Sequence, residues 1–523
     1  MNKNLQMVYT YHNQTKHSAQ KYAKSLGYMD WETQANPYRS YENTTKTFLP
    51  LALQNNTLPY NEIFNENRNV IAPFCKESIS QLFQFSLGLS AIKKAGDQSW
   101  DLRCNASSGN LQPTEAYIIC DGIQNIDNGI SHYNVKDHAV ELLAKPNDKL
   151  SLPHDSFLVC LSSIVWREAW KYGERSWRYT NLDCGHAIRA LEISALMLGW
   201  KMTTIDTNED ELNNLIGFNQ KNRYIKEERE NAAVLLLVSK DNNNLNIDIK
   251  ILRECFDKIY QSRANQLSKS WHKWNILGEI EEACRIKKDN FIIETKLISS
   301  IREESYESKV IVLNRRSVKQ MNINDSNISF KQFETIISSV SSPFNTKQSA
   351  VNLVLFVHNV EGIDSGMYIL IRNILHKHPL MAELKDEFLW EEINIKQSKL
   401  YLLRRGDYKA ISKTISCNQD IASNGAFSIG MLAQFDKQLN TYGAFRYKQL
   451  YWECGEIGQQ LYLEATSVNL SATGIGCFLD DLFHSVLGIK NSSFQSLYHF
   501  TIGRAIFDSR LTTLRPYSKI EIN

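Results

Sequence analysis

Three clusters of polar residues carry donors and acceptors at spacings that could do chemistry. Arg315-Arg316-Ser317 follows the apolar run VIVL and precedes a helical stretch. Two guanidiniums and a hydroxyl form a donor set matched to a phosphate, although a solvated arginine pair is the commoner use of such residues. The second cluster is the loop Arg103-Cys104-Asn105-Ala106-Ser107-Ser108-Gly109-Asn110-Leu111-Gln112-Pro113, ahead of the strand-like EAYIIC. Its hydroxyls, amides and backbone N–H groups suit a polar planar ligand, and the same residues also mark ordinary turns. The third is Trp170-Lys171-Tyr172-Gly173-Glu174-Arg175. Adjacent Lys171 and Tyr172 could donate and accept a proton if burial lowers the lysine pKa; an exposed lysine is the plain alternative.

The elements that must position these groups follow from apolar periodicity. CKESISQLFQFSLGLSAIKK (75–94) has helical spacing, with Ile79, Leu82, Phe83 and Leu87 on one face. EAYIICD, HAVELL, FLVCLSSIVW and AAVLLLVS read as strands, the second as a strand or short helix, and a helix follows over about 183–198. The charged stretch 208–231 reads as exposed. Beyond 300 come VIVLNRRS, a helix over FKQFETIISSV, strands over NLVLFVHNV and MYILIRN, a helix over FSIGMLAQFDKQL, a long helix from 453, and the strand HFTIGRA. Strands and helices alternate irregularly, which predicts an α+β (or mixed α/β) class.

The chain also says nearly the same thing twice. RYTNLDCGHAIRALEISALMLGW (178–200) is echoed by RYKQLYWECGEIGQQLYLEATSV (446–468), and GIQNIDNGISHYNVKDH (122–138) more faintly by VEGIDSGMYILIRNILH (360–376). The spacing, roughly 240–270 residues, is far beyond a solenoid period and indicates a duplicated domain. With 523 residues, two cores are also the natural count. The expected division is an irregular arm over 1–70, a first domain over 71–290 and a second over 300–523. Gly185, Gly455 and Gly458 are expected to let the paired central helices pack closely, and Trp170, Trp177 and Trp452 to serve core or interface. His186 and His484 have no evident partners.

Composition removes several classes of function. There are 59 basic and 57 acidic residues, a net charge of +2, so bulk electrostatics favour neither nucleic acid nor membrane. The N-terminus lacks a signal-peptide core, and no apolar run reaches the ~18 residues of a membrane helix. The ten cysteines never fall in CxxC spacing and read as reduced, buried thiols of a cytoplasmic protein. No metal site is expected: the twelve histidines are scattered, and His376 and His378 do not share a helix face.

Together, YHNQTKHSAQKYAKSLGYMDWETQANPYRSY, REAWKYGERSWRY, RYKQLYWECGEIG, TGIGCFLDD and FTIGRAIFDSRLTTLRPY resemble the nitroreductase family over nearly the whole chain. The resemblance is to its SagB-type dehydrogenase (azoline oxidase) branch in tandem-domain form. It implies two nitroreductase-like domains forming an intrachain pseudo-dimer, with FMN held between them. Arg315 and Ser317, with Arg316 alongside, match the family's phosphate element, and Arg510 its late basic residue. Ser107, Ser108 and Asn110 match the loop contributed by the opposite protomer, with Ala106 in place of the usual proline. Gly474, Ile475, Gly476 and Cys477 match the segment passing the flavin ring, although the Glu-Gly pair of many members is not evident there. Lys171 and Tyr172 match the family's proton-transfer pair; Thr441 and Tyr442 occupy the second-domain counterpart. No Arg-x-Ser element is found in the first domain, and NTKQSAVNLVLF (345–356) stands in the loop slot of the second. One complete flavin site per chain is therefore expected.

The resemblance implies azoline oxidation on a peptide natural product, beside a cyclodehydratase and a precursor peptide. The alternatives are an NAD(P)H-dependent nitro- or quinone-type reductase acting on a small molecule, or a peptide-binding scaffold whose flavin site has decayed. The intact RRS and SSGN elements count against decay, and KYGER favours the oxidase.

Overall fold

The computed structural model describes residues 2–65, 71–240, 247–287, 291–294, 306–344 and 349–518. Two large antiparallel sheets organise them. The first runs Phe291–Glu294, Lys201–Asp206, Asn231–Ser239, Ser156–Ser163, Thr114–Cys120, Gly129–Asn134, Ala139–Ala144, Thr45–Phe48. The second runs Glu391–Ile393, Leu400–Arg405, Gly366–Leu370, Val351–Val357, Phe427–Gln434, Phe494–Gly503, Ser471–Ile475. The central strands Ser156–Ser163 and Phe427–Gln434 are buried at every residue, so they read as continuous apolar runs rather than alternations. The class is α+β, with two tandem sheet-and-helix units.

Between the sheets lie the two echoed helices. The first central helix, Ser176–Met197, and the second, Arg446–Ser467, each have 22 residues and pack against one another. A Cβ on Gly185 would strike the backbone of Trp452, and one on Gly455 the backbone of Leu182. An interior helical glycine costs about 1 kcal/mol relative to alanine; here it permits backbone-to-backbone approach. Trp177 and Trp452 are buried between the halves, and Trp452 Nε1 donates to Asn181 Oδ1 at 3.0 Å. The fainter echo is the turn joining corresponding strand pairs in the two sheets.

Four elements differ from the sequence reading. FSIGMLAQ forms a strand, and the helix is confined to Phe435–Tyr442. A strand buried on both faces has no period of two to distinguish it from a buried helix. The helix expected over 75–94 ends at Gln84, and Leu89–Ala95 is a strand. The arm contains the helix Lys3–Gln14, capped by the Asn2 side chain, whose Val8, Tyr11 and His12 are buried. The charged stretch 208–231 is exposed only in part: Asp210, Lys221, Lys226, Glu227 and Arg229 face solvent, whereas Glu209, Arg223, Glu228 and Glu230 are buried, and Glu230 pairs with Arg39 at 2.7 Å. VIVL itself lies in a helix, Ser308–Asn314. The segment NTKQ (345–348) and most of the expected division between 290 and 300 lie outside the described residues. No described helix is long and apolar enough to cross a membrane.

The termini cross over. Tyr9 Oη donates to Asp436 and His12 meets Tyr447 and Gln495, while Tyr11 Oη donates to the Glu174 carbonyl, so the N-terminal helix bridges the two halves. Thr512–Leu514 pairs with Leu89–Ala95 of the first half in a three-stranded sheet.

Candidate functional site

Lys171 and Tyr172 end the helix Val165–Tyr172, which stops at Gly173 with φ +55°. The Arg103–Pro113 loop comes to them through Gly109. There φ is +60°, and a Cβ would lie 2.8 Å from Tyr172 Oη and 3.3 Å from Lys171 Nζ. Glycine therefore eases both the left-handed backbone and the close approach. Ser108 donates to Asp183 Oδ1 through its backbone N and its Oγ, each at 3.0 Å. Ser107 Oγ accepts from Gln112 N at 2.8 Å. Asn110 Nδ2 donates to the Asp101 carbonyl at 2.9 Å, and its Oδ1 accepts from Gln112 Nε2 at 3.0 Å. Asn110 thus shapes the loop, while Ser108 ties it to the first central helix.

Two buried carboxyls stand beneath this pair. Burial pushes Asp183 up to about 7, against the hydrogen bonds from Ser107 and Ser108 that favour its charged form. Burial, followed by the charge of Asp183, holds the Glu168 carboxyl well above the carboxylate range. Burial above all keeps the Tyr172 hydroxyl firmly protonated. The ring of Tyr172 lies 4.6 Å from that of Tyr179.

The second half approaches from the other side. Arg315 is buried over the Tyr462 ring, 5.1 Å from its centroid. Its Nε donates to the Cys104 carbonyl at 2.8 Å and its Nη2 to the Arg103 carbonyl at 2.9 Å. Its Nη1 is buried without a partner among the described residues. Such an orphaned charged donor is costly unless something accepts from it. Ser317 Oγ shares a 2.7 Å hydrogen bond with Tyr462 Oη, which also accepts from Gly474 N at 2.8 Å. Gly476 O accepts from Tyr179 Oη at 3.1 Å and from Arg175 Nη2 at 3.2 Å. Gly474 and Gly476 need their lack of a Cβ, because Tyr498 and Tyr179 lie against them.

His186 connects the halves, contrary to the sequence reading that left it without a partner. Its Nδ1 meets Gln459 Oε1 and its Nε2 meets Tyr498 Oη, both at 3.2 Å. Gln459 Oε1 also accepts from Ala106 N at 3.1 Å. Burial and the Arg315 charge lower His186 to about 3, so it is neutral, and a proton on Nδ1 satisfies both neighbours. His484 Nε2 accepts from Ser496 N at 3.0 Å.

The structure thus brings Lys171, Tyr172, Ser107, Ser108, Asn110, Arg315, Ser317, Gly474 and Gly476 around one seam between the halves. Two expected residues stand apart. Arg316 turns into the protein, its Nη1 donating to the Leu313 and Arg315 carbonyls at 2.6 and 2.7 Å. Arg510 is 85% exposed and paired with Asp508 at 2.7 Å. Asp508 also feels the Lys319 charge, and Lys93 that of Arg316. Sequence reasoning missed Asp183, Glu168, Gln459, Tyr462 and Tyr498. A signal existed for some of them. Tyr179, Asp183 and His186 are four and three apart, and Gln459 and Tyr462 three apart, each set on one helix face.

Residues 312–504 match the family model described as the nitroreductase family. Among solved structures, a candidate nitroreductase from Anabaena variabilis is similar over 96% of this chain and 99% of its own, with TM-score 0.69 and 19% identity. A candidate nitroreductase from Ralstonia eutropha matches 40% of this chain and 87% of its own (TM-score 0.28, 11% identity). The E. coli microcin synthetase McbBCD complex with truncated pro-MccB17 matches 37% and 70% (TM-score 0.29, 14% identity). No curated protein matches in sequence. The first likeness establishes the fold end to end, and residues 312–504 carry a nitroreductase family domain.

Proposed function

We propose that this protein is an FMN-dependent oxidoreductase of the SagB type, oxidising azolines in a peptide to azoles at the seam between its halves. The observation that carries the reading is the convergence at one place of Arg315 with its unsatisfied buried Nη1, the Ser107–Asn110 loop, and Lys171–Tyr172. The residues fit the cofactor: Arg315 offers an unused donor and Ser317 a hydroxyl to a phosphate. Arg316 supports Arg315 and the Ser308–Asn314 helix end rather than the ligand. The same reading divides the chain into an arm over 1–70 and domains over 71–290 and 300–523, with a cyclodehydratase and precursor peptide as partners.

When bound, FMN supplies a hydride acceptor. Proton movement falls to the chain. Tyr172 Oη keeps its proton and so orients by donation rather than acting as base. Lys171 Nζ, beside the same Gly109, relays the ring proton, taking it as its own passes to the carboxyl pair behind it. Glu168 and Asp183 stand behind it as a buried carboxyl pair able to hold that proton, and Asp183 sits near the pH at which a general base works best. The aromatic lining from Tyr172, Tyr179, Tyr462 and Tyr498 keeps water from the seam.

The test is the absorbance spectrum and FMN-to-chain ratio of the purified protein, with Arg315→Ala and Ser107→Ala alongside. A yellow protein that loses FMN in both variants, and whose Lys171→Met form binds FMN but fails to dehydrogenate a thiazoline peptide, is the expected result. A colourless protein indifferent to added FMN sinks the reading. Turnover of a nitroarene with NADPH, without action on the peptide, would replace the substrate class and keep the cofactor.

A further inference from the structure

We propose that Cys417 and Cys477 are a redox-active pair that closes to a disulfide by exchange with a low-molecular-weight disulfide such as oxidised glutathione. The proposal does not depend on the cofactor reading. The two sulfurs lie 2.7 Å apart, and both residues are only partly buried. A disulfide needs about 2.05 Å, so closing the bond takes an approach of roughly 0.7 Å. Six of the ten cysteines are fully buried and have no such access.

The surrounding backbone holds the pair in register. Cys417 follows the helix Lys409–Ile415, and Cys477 precedes the helix Asp480–Leu487. Leu479 N donates to the Ile415 carbonyl at 2.7 Å, and Gln419 Nε2 to the Cys477 carbonyl at 3.3 Å. The two loops are therefore already joined on both sides of the sulfurs. Cys417 and Asn418 have φ of +53° and +59°, a left-handed turn that residues with a Cβ adopt only when held there. The hydrogen bond between the two sulfurs, and after it the nearby charge of Arg175, favour the thiolate of Cys477. Tyr22 of the arm reaches Cys417 from outside and is itself half exposed.

The chemistry balances in two exchanges. The Cys477 thiolate attacks one sulfur of the small disulfide, forming a mixed disulfide and releasing one thiolate. Cys417, giving its proton to solvent, then attacks Cys477 sulfur and releases the second thiolate. Two protein thiols are oxidised and one small disulfide is reduced to two thiols. The closed bond would fasten the Gly474–Leu479 segment to the turn after Ile415, beside Tyr179 and Tyr172.

The experiment treats the pre-reduced full chain with oxidised glutathione, alkylates it, and reads intact mass and a peptide map. The expected wild-type product has lost two alkylatable thiols, carries no glutathione, and contains a linked Cys417–Cys477 peptide. Cys417→Ser should instead trap one glutathione on Cys477, and Cys477→Ser should carry none on Cys417. A wild-type chain in which Cys417 and Cys477 stay alkylatable, or each carries glutathione unlinked, overturns the proposal. Serine variants that fail to fold would leave the wild-type map as the deciding result.

Discussion

At the scale of single residues the site is governed by protons that burial keeps in place. Asp183 has a folded pKa of about 7 against an ordinary 3.8, chiefly through burial. Between those values the folded chain holds a proton that the unfolded chain releases, so stability falls as pH rises through roughly 4 to 7. Each unit is worth about 1.4 kcal/mol, a few kcal/mol across the window. Asp183→Asn keeps an acceptor for Ser108 and removes that dependence. Its denaturation midpoint should be flatter over this range than wild type and higher near pH 8, by on the order of 2 kcal/mol. A wild-type-like profile would mean that Glu168, not Asp183, carries the shared proton. Gly109→Ala is the second residue-scale case. The added methyl meets Tyr172 Oη at 2.8 Å and asks alanine to adopt φ +60°, which costs roughly 1–2 kcal/mol in backbone alone. FMN retention and any peptide dehydrogenation should drop together while far-ultraviolet dichroism is unchanged.

At the scale of elements, the arm, the first central helix and the second half are fastened by one carboxylate. Asp480 opens the helix Asp480–Leu487 and accepts from Arg175 at 3.1 Å, Arg178 at 2.9 Å and the His17 backbone at 3.0 Å. Arg175 also donates to the Thr15 carbonyl at 2.6 Å. The two guanidiniums hold Asp480 well below the usual carboxylate range despite its burial, so its contribution is present above pH ~4 and lost as pH falls further. Asp480→Asn strands two buried cations and should cost about 3–5 kcal/mol in urea unfolding; a loss under 1 kcal/mol would show that the arm is held otherwise. None of this clasp was legible in the chain, because its members lie at opposite ends. What was legible is local: the apolar runs FLVCLSS and NLVLFV became central strands, and the RY…CG echo became the paired helices. FSIGMLAQ misled because burial on both faces erases periodicity, and 208–231 misled in part because some of its charges find partners such as Arg39 inside. The site divides in the same way. Arg315, Ser317 and the Ser107–Asn110 loop announce themselves by type, whereas Asp183, His186 and Tyr462 acquire meaning only when the helices meet.

At the scale of the whole molecule, duplication with divergence sets how many sites the chain has. Aligning Cys184-Gly185 with Cys454-Gly455 places Glu453 opposite Asp183, Glu456 opposite His186, Gln459 opposite Arg189 and Tyr462 opposite Glu192. Glu453 holds the loop of the second half as Asp183 holds that of the first, accepting from Ser349 Oγ and from Ala350 N at 3.1 Å. There the likeness ends. Arg372 fills the mirror position: Nη1 donates to Glu453 at 2.8 Å, Nε to the Val340 carbonyl at 2.6 Å and Nη2 to the Ser342 carbonyl at 3.1 Å. No nitrogen is left for a ligand, in contrast to Arg315 Nη1. Phe344 covers the place, its ring centroid 4.3 Å from the Arg189 guanidinium carbon and 5.6 Å from that of Arg372. Opening it would bare two arginines and the Glu453 and Glu456 carboxyls, the last pushed up to about 8 by burial and its acidic neighbours. The expected stoichiometry is therefore one FMN per chain. The decisive measurement is the residual flavin of Arg315→Ala: near zero if the mirror position is closed, and about half of a wild-type ratio near two if both positions bind. Phe344→Ala should leave the ratio at one, since Arg372 and Glu453 still occupy the space between the helices.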